Sequence, residues 1–282
     1  MAVLLMFCAS ACFVTMSALV KAMGESLPLI ELMFLRSVIA VPFLLILLLR
    51  KQKPLIATAW KIMLLRTLFG TLAMFSFYYA LTHMPLAECV FIGRTQPIIL
   101  SLLAPLLVGE TAPRTAWIAI LLGLAGAVII MQPNVAWSPA AGVALLAAAT
   151  SAVAHLLVRR LNRTENPSVI VFNFTLLMSM ISGIITIPSF QMPSAMQWIF
   201  LMFIAGFASL GQYLMTLAYS MDKAPVVAAA SYASVLLSVV YGYFFWNEIP
   251  TLAGWIGGAL VVGGGMYLMI SRWHGSEPAR SL

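Results

Sequence analysis

Apolar runs of about twenty residues recur along the chain, separated by short stretches of Pro, Gly and charge. They place spans at 2–22, 28–49, 60–82, 86–107 and 115–132, then at 139–158, 168–187, 197–219, 225–246 and 252–271. Each run is close to the roughly 20 apolar residues that carry a helix across about 30 Å of hydrocarbon. None alternates in the way a membrane-barrel strand must, and a helix satisfies its own backbone where lipid offers no partner. The pattern predicts an all-α integral membrane protein of ten transmembrane helices, with short loops and no room for a soluble domain.

Composition agrees with lipid as the solvent. Hydrophobic residues make up 63% of 282 and charged residues 8%, with a mean hydropathy of +1.04, far from the half-apolar, quarter-charged mix of soluble domains. The net charge of +7 comes from basic residues at span ends, not from a basic-aromatic stripe, which excludes a nucleic-acid surface. Cys8, Cys12 and Cys89 all fall in apolar segments and read as small core residues, not as a disulfide framework. The first run lacks the basic start of a cleavable signal and is expected to stay as a span.

The basic residues also orient the spans. Arg50, Lys51, Lys53, Lys61, Arg114, Arg159, Arg160, Arg163, Lys223, Arg272 and Arg280 fall on the side that holds both ends, and only Lys21 on the other. The positive-inside rule then predicts two cytoplasmic termini. The stretch from Ala80 to Glu110 is repeated, 138 residues later, from Ala218 to Glu248, and at the same offset Trp117 aligns with Trp255 and Gly126 with Gly264. Five spans per copy is an odd number, so the second copy enters the membrane upside down. Two inverted five-helix repeats follow, at 1–135 and 136–272, with a cytoplasmic tail at 273–282; this is the architecture of many secondary carriers. The Glu110 turn is expected in the cytoplasm and the Glu248 turn outside.

Charge inside the spans is the candidate chemistry. Arg36 and Arg94 lie near mid-bilayer, where a lone charge is expensive and must face protein, water or a counter-ion. The arginine fork suits a carboxylate, so Arg94, helped by Arg36, is expected to receive an anionic group of a substrate; the structural alternative pairs Arg36 with Glu31 or Glu88. Arg66, about one and a half turns from a span end, is expected to snorkel. Polar stripes follow helical spacing as Ser209, Gln212, Thr216, Tyr219 and as Ser231, Ser234, Ser238, Tyr241. Thr71, Tyr78, Arg94, Thr95 and Gln96 form the matching first-half wall, which puts a hydrated site between the third, fourth, eighth and ninth spans. Trp60, Phe75 and Tyr232 are aromatics able to stack on a substrate ring. Glu31, Glu88 and His155 are candidates for a coupling proton, with packing or neutralisation as the alternatives. The Gly254 to Gly258 spacing reads as a packing or dimer face. Asn162-Arg163-Thr164 and Asn173-Phe174-Thr175 are chance matches to the glycosylation pattern.

Three segments carry a family likeness: PLIELMFLRSVIA from Pro28 to Ala40 with its Arg36, PLLVGE ending at Glu110, and W-x-A-x-x-L-G-x-x-G from Trp117 to Gly126. FFWNE ending at Glu248, with Gly254, Trp255 and Gly258, repeats the turn. In these the chain resembles the EamA family of the drug/metabolite transporter superfamily. Asn247 replaces the turn glycine in the second copy, and Arg94 stands where such proteins commonly carry no charge. The resemblance implies a secondary transporter of a small polar metabolite; the buried arginines favour an amino-acid-like or carboxylated one. Export is the commoner family expectation, and uptake of a vitamin or cofactor such as riboflavin or S-adenosylmethionine is the alternative. A membrane-embedded enzyme is disfavoured: Asp222 is the sole Asp, no G-x-S-x-G elbow occurs and the three His lack metal spacing. No cofactor or metal is expected; the expected partners are a small-molecule substrate and the lipid bilayer, with the protein a monomer or homodimer.

Overall fold

A computed structural model of the chain describes residues 1–23, 27–83, 92–93, 95–131, 139–232, 234, 237, 240–241 and 252–274. Among the described residues the regular structure is entirely helical: α1 (Ala2–Met23), α2 (Leu29–Arg50), α3 (Trp60–His83), α4 (Gln96–Val108), α5 (Arg114–Met131), α6 (Pro139–Leu161), α7 (Pro167–Thr186), a short 3-10 turn (Ile187–Ser189), α8 (Ala195–Met221), α9 (Ala224–Ala230) and α10 (Leu252–His274). Six of them, α1, α2, α3, α6, α7 and α8, are long and apolar enough to cross a membrane; α4, α5 and α10 contain shorter apolar stretches. The surface is apolar as well, with Phe43, Leu106, Ile184 and Trp255 largely exposed, as a lipid-facing exterior requires and a water-facing one forbids.

Local chemistry sets the ends. Pro167 occupies the first turn of α7, where its missing N–H is harmless, and Asn166 caps that helix by accepting from the Ser168 amide at 3.1 Å. Ser194 and Gln197 form a reciprocal capping box at the start of α8. Inside the helices, hydroxyls bond back to the carbonyl four residues earlier, as Ser37 does to Met33, Thr67 to Met63 and Ser182 to Met178, so they need no water.

Eight predicted spans agree with the helices to within a few residues. Of the fourth, expected at 86–107, Ile92 and Gly93 are helical, and a continuous helix is described from Gln96 to Val108. Pro97 fits the first turn of α4, while Glu88, Cys89 and Arg94 lie outside the described residues. The ninth, expected at 225–246, is α9 followed by Ser231 and Tyr232, whose amides reach the Ala228 and Ala229 carbonyls three residues back. That tightened turn interrupts the helix, and the described residues beyond it, Ser234, Leu237, Val240 and Tyr241, are again helical. Ser238 and Glu248 lie outside the described residues.

Packing joins the two halves of the chain. α1 runs along α8, α3 along α6, α2 along α7, and α5 along α10. Small residues set the close approaches. Gly211 of α8 lies against Phe13 and Cys12 of α1, and Gly126 of α5 lies against the Gly257 carbonyl and Val261 of α10. Gly264 meets Ala119 and Leu122 of α5. Gly257 and Gly264 of the last span therefore pack within the chain, whereas Gly263 and Gly265 face open space. One core cluster unites α1, α4, α5, α6, α8, α9 and α10, and a second unites α2, α3 and α7.

Candidate functional site

Arg36 lies mid-way along α2 and is 6% exposed. Its guanidinium meets three thioethers: Met16 Sδ from Nη1 at 3.5 Å, and Met74 and Met178 Sδ from Nη2 at 2.8 and 3.9 Å. The head group thus touches α1, α3 and α7 at once, and its Nε has no acceptor. The Arg36–Glu31 pair considered from sequence does not form. Five residues on a helix differ by about 140°, so the two side chains leave α2 on different faces. Glu31, 1% exposed, instead accepts from the Gln191 amide at 3.3 and 3.4 Å. It lines a cavity of about 290 Å³ with Pro28, Phe75, Ile185, Thr186 and Ser189.

Arg66 corrects a second expectation. It does not snorkel to the surface: it is 2% exposed. Its guanidinium lies 3.7 Å from the Phe174 ring centroid and donates from Nη2 to Gln212 Oε1 at 3.3 Å, while Nε and Nη1 have no acceptor. The head group turns inward because Gly70, one turn further along α3, leaves space beside it: a Cβ on Gly70 would lie 2.1 Å from Nη1. The Phe174 face then supplies a cation–π contact that the bilayer edge lacks.

A third polar group joins α4, α6 and α8. Gln96 Nε2 donates to His155 Nδ1 at 3.1 Å, and the Tyr219 hydroxyl lies 3.4 Å from the same nitrogen. The structure therefore brings Gln96, His155 and Tyr219 together, and links Gln212 to Arg66. It separates others. The Thr216 hydroxyl bonds to the Gln212 carbonyl of its own helix, and Ser234 bonds to the Ser231 carbonyl. Tyr232 packs on Gly123 of α5. Tyr78 and Thr71 are on α3, with Tyr78 continuing the face of Arg66, Gly70 and Met74 and Thr71 beside it; Tyr78 is buried, and the Thr71 hydroxyl is buried without an acceptor. Trp60 is exposed at the start of α3 under Lys61. Asn162 and Asn173 spend their amide donors on backbone carbonyls of Thr216, and of Leu55 and Val169. Candidates Arg94 and Glu88 lie outside the described residues.

Sequence reasoning missed the knot at Glu110. Gly109, at φ 70°, turns the chain at the end of α4, a conformation open to glycine at little cost. The buried Glu110 carboxylate accepts from Arg159 Nε at 2.8 Å and from the Ala224 amide at 2.9 Å, with Arg163 Nη2 at 4.0 Å. Arg159 Nη1 also donates to the Tyr219 and Ser220 carbonyls, and Arg163 to that of Val108. One carboxylate and two arginines thereby tie together the ends of α4, α6 and α8 and the start of α9. The available signal was a lone acid and an i, i+4 arginine pair predicted on the same membrane face.

Comparison with known proteins follows the same lines. Residues 1–132 and 138–270 match the EamA-like transporter family. The pseudopaline exporter of Pseudomonas aeruginosa is 30% identical over 263 residues, covering 92% of this chain and 93% of the exporter. A riboflavin transporter of Brucella anthropi is 30% identical over 68% of this chain and 70% of its own. An S-adenosylmethionine uptake transporter of Rickettsia conorii is 22% identical over 74% and 71%. A solved crystal structure superposes with a TM-score of 0.82 at 22% identity, over 98% of this chain and 99% of the other.

Proposed function

The chain belongs to the EamA-like transporter family and is a multi-pass membrane transporter, not an enzyme; from that premise we propose that it exports a small carboxylated, amino-acid-like metabolite across the cytoplasmic membrane by alternating access. The observation that carries the substrate class is Arg36, a guanidinium buried among thioethers on three helices. Thioether sulfur is a weak acceptor, so the charge is poorly compensated until an anion arrives, and a carboxylate fits its fork.

The mechanism rests on two inverted halves, 1–135 and 136–272, with cytoplasmic ends. The packing supports this. An offset of 138 carries α1 onto α6, α2 onto α7, α3 onto α8 and α5 onto α10. That exchange converts the α3–α6 contact into α8–α1 and leaves α2–α7 and α5–α10 as self-partnered pairs, the pattern a two-fold axis in the membrane plane produces. Rocking one half against the other exposes a mid-membrane site to each side in turn. The name of the Pseudomonas relative supports export.

Proteoliposome counterflow with labelled amino acids, hydroxy acids and riboflavin tests the reading. We expect trans-stimulated exchange of a carboxylated solute that falls at least tenfold in Arg36→Gln. Exchange of uncarboxylated solutes alone, equal in parent and variant, refutes it. The second reading, uptake of a vitamin or cofactor, is favoured by the riboflavin and S-adenosylmethionine relatives and would appear in the same assay as inward riboflavin flux indifferent to Arg36.

A further inference from the structure

The Arg36 and Arg66 head groups both meet side chains of α7, and the register of α3 against α7 fixes their relation. Arg66 lies on the Phe174 ring, and a Cβ on Gly70 would meet both Arg66 Nη1 and Phe174. Arg36 meets Met74 and Met178. Gly70 to Met74 and Phe174 to Met178 are each one step of four residues, so α3 and α7 run parallel here and the two guanidiniums lie about 6 Å apart along the helix axes. Among the described residues every carboxylate is committed elsewhere: Glu31 to the Gln191 amide, Glu110 to Arg159 and the Ala224 amide, Glu165 to Thr58 and the Ala59 amide, and Asp222 to the Lys223 amide. What faces the two cations is three thioethers, the Phe174 ring and the Gln212 amide oxygen, with Tyr78 in electrostatic range of Arg36 and His155 in range of Arg66.

Building on the carboxylated-solute reading above, we propose that Arg36 and Arg66 form a two-point anion site, and that the transported solute carries two carboxylates spaced to meet one guanidinium each. A single carboxylate leaves one buried cation facing only neutral groups and keeps the repulsion between the pair. A dicarboxylate removes both penalties and satisfies the free Nε of Arg36 and the free Nε and Nη1 of Arg66. The thioethers and the Phe174 ring act as placeholders: soft, weakly bound and displaced when the solute enters. Gln212, which holds Arg66 at 3.3 Å, is the positioning residue for the second point. Arg66 is therefore a specificity group that separates dicarboxylates from monocarboxylates, the role its predicted escape to the membrane edge would have denied it.

The test is thermal stabilisation of the purified full-length protein by the straight-chain dicarboxylates malonate to adipate, each beside its monoamide, with inorganic phosphate as a further probe. We expect the best dicarboxylate to reach half-saturation at a concentration at least tenfold below that of its monoamide. Arg66→Gln should bring this ratio within threefold, whereas Arg114→Gln, which removes a surface charge, should not change it. If Arg66→Gln does not fold, Gly70→Ala serves instead, because the new methyl displaces Nη1 without altering charge; it too should collapse the ratio. Equal affinity for dicarboxylate and monoamide in the parent overturns the two-point site and leaves the carboxylate reading standing. A ratio that survives both variants, or stabilisation by phosphate and not by dicarboxylates, also overturns it. Binding of neither carboxylate class refutes the carboxylate reading itself.

Discussion

Replacing Glu110 by Ala removes two charge-assisted hydrogen bonds, from Arg159 Nε and the Ala224 amide, and the nearby charge of Arg163. Bonds to a charged group contribute roughly 1.5–3 kcal/mol each. The knot is partly wetted, with Glu110 and Arg159 side chains 10% and 19% exposed, and Arg159 retains the Tyr219 and Ser220 carbonyls. Both points favour the low end, a loss of about 3 kcal/mol, equivalent to roughly 100-fold in an equilibrium constant. If the knot closes this end of the bundle during the transport cycle, that factor appears as increased opening. The assay uses a variant lacking Cys8, Cys12 and Cys89 and carrying Ser220→Cys beside the knot, labelled with a charged maleimide. Glu110→Ala should raise the labelling rate by about two orders of magnitude, and Glu110→Gln, which keeps an acceptor and loses the charge, by about one. Labelling within threefold of the parent in a folded Glu110→Ala protein would refute closure. A fall in stability with unchanged labelling would reduce the knot to a helix cap.

Other outcomes follow from single contacts. Gly126→Ala puts a methyl 2.5 Å from the Gly257 carbonyl, so α5 and α10 must separate; a loss of about 1–3 kcal/mol in detergent unfolding is expected, and an unchanged midpoint would contradict the described contact. Gly109→Ala meets nothing within 4 Å but keeps φ at 70°, so its cost should be about 1 kcal/mol, all conformational; a loss several times larger in the same measurement would show a hidden steric role. Glu165→Gln weakens acceptance from Thr58 Oγ1 at 2.5 Å and the Ala59 amide at 2.8 Å. Hydrogen exchange at the Ala59 amide should accelerate roughly tenfold, in line with about 1–2 kcal/mol, and an unaltered rate would count against the bond.

The linear pattern determined much of the architecture. Lipid imposes its demands on each segment separately: a span must be long enough, apolar enough and internally hydrogen bonded. The limits of α1, α2, α3, α5, α6, α7, α8 and α10 were therefore legible from apolar length and bounding Pro, Gly and charge. The depth of Arg36 and Arg66 was legible for the same reason, since depth is a count of residues from a span end. Direction around the helix was not. Arg66 turns inward because Phe174 and Gln212, more than a hundred residues away, come within reach of the space beside Gly70; no local rule separates that from snorkelling. Glu110 was visible as the end of PLLVGE, yet its bonds to Arg159 and the Ala224 amide depend on three helix ends and the start of α9 converging. His155 was readable as one turn from Arg159, whereas its position against Gln96 and Tyr219 comes from the packing of α4, α6 and α8. Solvent acts on a helix through its length, which the sequence carries in one dimension. A buried charge is decided by the groups around it, and only the packing of the helices brings those together.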